Sequence, residues 1–131
     1  MERNRVLLAD DHEAVLQQVE SLLGEKYDIV GAVQNGKVLV EAAQKLQPDV
    51  IITDISMPVM TGFEAAARIK ELGLASKLIF LSVQSGSAYI KKARSLGANG
   101  YVLKLYAAEQ LPQAVAAVIS GSHYISPQLT A

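Results

Sequence analysis

The stretch LLADDHEAV, Leu7 to Val15, runs an apolar segment into two adjacent carboxylates, Asp10 and Asp11. Like charges roughly 4 Å apart repel by about 4 kcal/mol at an effective dielectric near 20. A divalent cation between them is the simplest group to offset that cost. Three other apolar runs also end in chemically useful residues: DVIITD in Asp54, KLIFLS in Ser82 and GYVLK in Lys104. The run YDIVGAV leads only into Gln34 and Asn35. Three carboxylates at one edge would form a hard, oxygen-rich site suited to Mg2+ or Mn2+. A carboxylate beside such a cation can attack phosphorus and form an acyl phosphate. The cation, the Lys104 ammonium and the Ser82 hydroxyl could each take one oxygen of the transferred group.

These residues converge only if the runs are neighbouring strands of one sheet. Five short, nearly continuous aliphatic runs recur at residues 5–10, 27–33, 49–54, 77–82 and 100–104. That is the pattern of strands buried on both faces of a parallel sheet. Between them lie segments of helical period. Val15, Leu16, Val19, Leu22 and Leu23 share a face before Gly24, and Val38, Leu39, Ala42 and Leu46 share another before Pro48. Phe63, Ala66 and Ile69 follow Gly62, a fourth segment runs from Ser87 to Leu96, and Leu111, Val115, Val118 and Ile119 form the last. Proline is tolerated only in the first turn of a helix, so Pro112 predicts that this helix begins no earlier than about Ala108. The alternation implies an α/β, doubly wound architecture with a five-stranded parallel sheet and helices on both faces. Ligands of such sheets collect at the carboxyl ends of the strands.

Composition narrows the chemistry further. The chain has 131 residues, 50% hydrophobic and 5% aromatic, enough for one aliphatic core. A formal net charge of -1 gives no general attraction to nucleic acid or anionic lipid. With no cysteine there is neither a disulfide framework nor a thiolate site. No apolar run reaches the roughly 18 residues of a membrane span, and MERNR leads straight into a strand-like segment. The expectation is a cytoplasmic domain without a membrane partner. His12 and His123 form no ligand spacing and read as surface residues. The cluster KKAR, 91–94, reads as the solvated face of the fourth helix, and no glycine-rich phosphate loop occurs.

The acidic pair Asp10-Asp11, TDISMPVMTG around Asp54, Ser82, and GYVLK ending in Lys104 together resemble a receiver domain of a bacterial two-component response regulator. The likeness covers about residues 5–120 and is closest to the LuxR/NarL type, whose output is a helix-turn-helix domain. It implies the (βα)5 fold with strand order 2-1-3-4-5. It implies Asp54 as phosphoacceptor, Asp11 and Asp54 as Mg2+ ligands, Asp10 acting largely through water, and the backbone carbonyl of Ser56 as a further ligand. Ser82 and Tyr101 correspond to the switch pair: Ser82 moves onto the phosphoryl group and Tyr101 moves inward, changing the face of the fourth helix, fifth strand and fifth helix. Lys104 pairs with the phosphoryl group, while Pro58 and Gly62 belong to the loop after the phosphoacceptor. Two departures are visible. Leu105 stands where many receivers have proline after the lysine, so a cis bond is not expected, and Val83 stands where alanine or glycine often follows the hydroxyl.

The implied partners are a sensor histidine kinase and a second copy of the chain on phosphorylation. Residues 1–120 form the receiver, and the aperiodic tail ISGSHYISPQLTA reads as the start of a linker, 121–131, to a C-terminal DNA-binding domain. DNA would be met only through that domain. The alternatives are a stand-alone regulator acting by protein contact, or a phosphohydrolase of the haloacid dehalogenase type. The latter lacks its general acid, because Ser56 stands two residues after Asp54, and there is no cap insertion.

Overall fold

A computed structural model of the chain describes residues 3–129. The strands are β1 (Arg5–Ala9), β2 (Asp28–Val33), β3 (Val50–Thr53), β4 (Lys77–Ser82), β5 (Gly100–Leu103) and β6 (Tyr124–Ile125). The helices are α1 (Glu13–Leu23), α2 (Gly36–Leu46), α3 (Gly62–Glu71), α4 (Ser87–Ser95) and α5 (Ala107–Ile119). All paired strands are parallel, in the order β2-β1-β3-β4-β5-β6.

Successive residues of each strand point to opposite faces, so β1 feeds two cores. Val6 and Leu8 pack with the apolar stripes of α1 and α5, including Leu16, Val19, Leu111 and Val115. Leu7 and Ala9 pack on the other face with Leu39, Ala43, Ala66 and Ile69 of α2 and α3. Burial on both faces is why β1, β3, β4 and β5 read as continuous apolar runs rather than alternating ones; β2, at the sheet edge, is only partly covered.

Two sequence expectations need correction. The sheet has six strands, not five. Tyr124 and Ile125, read as part of a linker, extend the sheet along β5, with Tyr124 N–H donating to Asn99 O (3.0 Å) and Ser126 N–H to Tyr101 O (2.9 Å). A two-residue strand has no periodicity of its own; the exposed edge of β5 induces it. Helix α5 begins at Ala107, one residue before the limit set from Pro112, which is its sixth residue. A 3₁₀ turn over Lys104–Tyr106 leads directly into the helix and supplies that early start.

Candidate phosphoacceptor site

The sheet reverses its winding direction between β1 and β3, and this places the acidic groups together. Ala9 pairs with Thr53, and Asp54 N–H donates to Ala9 O at 2.9 Å, so Asp10 and Asp54 leave adjacent strands side by side. Ser82 ends β4 and pairs with Leu103 of β5, immediately before Lys104. Asp10, Asp54 and Ser82 are buried, whereas Asp11 is exposed at the rim.

The two buried carboxylates are each held by a backbone N–H. Asp10 Oδ1 accepts the N–H of His12 at 2.9 Å, and Asp54 Oδ1 accepts that of Ile55 at 2.8 Å. Their other oxygens face one ammonium: Lys104 Nζ is 2.7 Å from Asp10 Oδ2 and 3.2 Å from Asp54 Oδ2. Burial raises the Asp54 carboxyl above its ordinary range, with Lys104 opposing the rise and Asp10 adding to it. Burial works to lower Lys104, but the hydrogen bond and charge of Asp10 and the charge of Asp54 outweigh it, leaving the ammonium raised. Ionisation of Asp54 is therefore opposed by its burial and by the neighbouring Asp10, and favoured by Lys104.

The residues present fit a divalent cation. Buried Asp10 Oδ2 has the Lys104 ammonium as its one close partner among the described residues, and one ligand atom each from Asp10, Asp11, His12 and Asp54 can be chosen all within 4.8 Å of one another. His12 is a member that the sequence did not reveal. Its ring Nδ1 lies 3.2 Å from Asp10 Oδ1 and 3.1 Å from Asp11 Oδ1. The N-cap of α1 is this histidine, which makes no side-chain cap bond; Asp11 does not cap the helix.

The loop between Asp54 and α3 holds the floor. Thr61 and Glu64 close a reciprocal capping box at the start of α3, a signal written in the sequence TGFE. Gly62 N–H donates to Ile55 O at 2.7 Å, and a Cβ on Gly62 would overlap the carbonyl oxygen of Asp54. Ser56, the expected carbonyl ligand, lies exposed in this loop, and Val59 adopts a φ of 70°.

Ser82 and Tyr101 meet at the backbone of Gln84. Ser82 Oγ accepts Gln84 N–H at 3.0 Å, and Tyr101 Oη donates to Gln84 O at 2.7 Å. Burial raises the Tyr101 phenol, while a hydrogen bond with Ser82 acts the other way. Tyr101 is only 3% exposed and packs against Phe80. The expected inward movement of this ring thus starts from a position that is already inward. Val83 is largely exposed and lines a cavity of about 310 Å³ with Ser82, Lys104 and Leu105. No described residue forms a cis peptide bond.

Residues 6–116 match the response regulator receiver domain. The chain belongs to that family. It is 34% identical over 127 residues to the nitrate/nitrite response regulator protein NarL of Escherichia coli strain K12, covering 95% of this chain and 59% of that one. Among solved structures it is similar to the isolated receiver domain of RcsB from Salmonella enterica serovar Typhimurium, determined with the phosphomimetic BeF3-. The TM-score is 0.90 at 28% identity, over 98% of this chain and 97% of that one. A structure of two RcsB dimers bound to two parallel DNAs gives a TM-score of 0.90 at 28% identity, over 98% of this chain and 67% of that one. The chain spans about three fifths of the length of the curated relatives it matches. Receiver domains of this family are signalling domains of two-component response regulators. Among its described residues no helix is long and apolar enough to cross a membrane.

Proposed function

We propose that this receiver accepts a phosphoryl group on Asp54 from a phosphohistidine of a sensor kinase. The observation that carries the reading is Lys104 Nζ bridging Asp10 and Asp54 at the mouth of the sheet. An Asp54 oxygen attacks phosphorus; the nitrogen–phosphorus bond breaks and the departing imidazole takes up a proton, leaving an acyl phosphate on Asp54. Asp10, Asp11 and Asp54, with the carbonyl of Ser56, would hold Mg2+ or Mn2+, whose charge offsets that of the carboxylates and phosphoryl oxygens. Lys104 would follow the added charge and pair with a phosphoryl oxygen, leaving Asp10 free to help hold the cation. The hydroxyl of Ser82 donates to a second oxygen. Hydrolysis by water at phosphorus breaks the new phosphorus–oxygen bond and restores Asp54.

The conformational output follows from Gln84. Its N–H is held by Ser82 and its C=O by Tyr101, so movement of Ser82 toward a phosphoryl group pulls on the segment leading to α4. The phosphoryl contact supplies the difference in free energy that a population shift requires. The affected face is α4, β5 and α5, where a second copy of the chain would pair on phosphorylation. Residues past the receiver would connect to a C-terminal DNA-binding domain, which pairing places on two half-sites to control transcription. The length of the relatives and the RcsB complex with DNA favour this reading over a stand-alone regulator.

The test is exposure to a small phosphodonor with Mg2+, followed by intact mass. The chain should gain one phosphoryl group, and both EDTA and Asp54→Asn should prevent it; retention by Asp54→Asn would refute the assignment.

A further inference from the structure

Beyond the three carboxylates, the site contains a group of different chemistry. The ring of His12 is 68% exposed, yet it is turned back over the acidic pair. The turn that directs it is local: Asp10 Oδ1 accepts the backbone N–H of His12, so the chain folds over Asp10 before α1 begins. Nδ1 then stands 3.1 Å from Asp11 Oδ1 and 3.2 Å from Asp10 Oδ1. Two ligands each about 2.1 Å from one ion, at right angles, are about 3.0 Å apart. The imidazole nitrogen thus stands from each of the two carboxylate oxygens at the spacing of neighbouring corners of an octahedron.

We propose that His12 is a nitrogen ligand of this centre and biases it toward Mn2+ and the later first-row divalent ions over Mg2+. The inference rests on the cation reading of the carboxylates given above. Mg2+ takes oxygen ligands and leaves imidazole little used, whereas affinity for nitrogen rises from Mn2+ through Co2+ and Ni2+. With Nδ1 on the ion, the proton of the neutral ring resides on Nε2. Removing the ring therefore affects the two classes of ion unequally.

The experiment uses the full chain and Mn2+ itself. Pulsed electron paramagnetic resonance of the bound Mn2+ should show hyperfine coupling to an imidazole nitrogen, which His12→Ala abolishes. Because the His12 ring is exposed and makes no cap bond, this variant should keep its fold. Titration should show Mn2+ affinity falling by at least about tenfold in His12→Ala, a loss typical of perturbed metal sites, with Mg2+ affinity, read by competition, nearly unchanged. Mn2+ bound by the wild type without nitrogen coupling, or an equal loss of both ions, would overturn the role of His12 while leaving the carboxylate centre standing. Failure of the wild type to bind either ion would instead remove the centre on which the inference rests. Asp11→Ala separates the two further, since it should weaken Mn2+ and Mg2+ together.

Discussion

The ammonium of Lys104 lies 2.7 Å from Asp10 Oδ2, in a site where Asp10 is almost completely buried. Removing one partner of a buried pair leaves the other charge uncompensated, at a cost of about 3 kcal/mol. Lys104→Met should therefore lower metal-free stability by about that amount near neutral pH, read by urea unfolding. The raised ammonium also sets a pH dependence. Its contribution is complete below the ordinary value of 10.5 and is lost as pH rises through the higher folded value. Wild type should lose stability in that alkaline window and Lys104→Met should not; parallel curves would contradict the pairing.

Asp54 has the opposite sign. Because its carboxyl is raised in the folded state, the native protein holds a proton more tightly than the unfolded chain, and stability falls as pH climbs from 3.8 through the folded value. At neutral pH the ionised group is a net cost to the fold. Asp54→Asn should raise the metal-free melting temperature by a few degrees, about 1 kcal/mol, and flatten the pH dependence in that window. A lower melting temperature across the whole range would show that the carboxylate stabilises the fold.

Val59 carries strain that the loop after Asp54 tolerates. It has a φ of 70° and is 77% exposed, so its branched side chain has a steric cost with little packing in return. Val59→Gly should gain about 1 kcal/mol after glycine's greater unfolded entropy is counted. Thermal melts check this, and a loss of stability would mean that Val59 makes contacts that outweigh the strain.

Tyr101→Phe removes the hydroxyl that holds Gln84 O, at a cost of about 1 kcal/mol. Because Ser82 holds the N–H of the same residue, amide exchange should accelerate in the segment from Val83 to Gly86. Unchanged exchange there would break the proposed link between Ser82 and Tyr101.

The sequence was most informative where packing is repetitive. The five two-faced strands and the helical stripes of Leu16, Val19 and Leu23, or of Leu111, Val115 and Val118, could be read because each buries a regular face. Asp10, Asp54, Ser82 and Lys104 followed from parallel topology, which collects strand ends at one edge. His12 was missed because no second histidine gives it ligand spacing; only the turn accepted by Asp10 brings its ring over the acidic pair. The sixth strand was missed because two residues, Tyr124 and Ile125, have no period of their own, and their order comes from β5. Ser126 completes that attachment: its Oγ accepts Leu103 N–H at 2.9 Å and donates to Gln110 Oε1 at 2.5 Å. A tertiary bond of this kind leaves no local pattern.

The most direct measurement of the central claim is the chemical location of the phosphoryl group. After treatment with a small phosphodonor and Mg2+, borohydride reduction converts an aspartyl phosphate to homoserine, and peptide mapping finds the altered residue. Homoserine at position 54, dependent on the divalent cation and absent without the donor, is the predicted result. Conversion at another carboxylate, with Asp54 intact, would contradict the account.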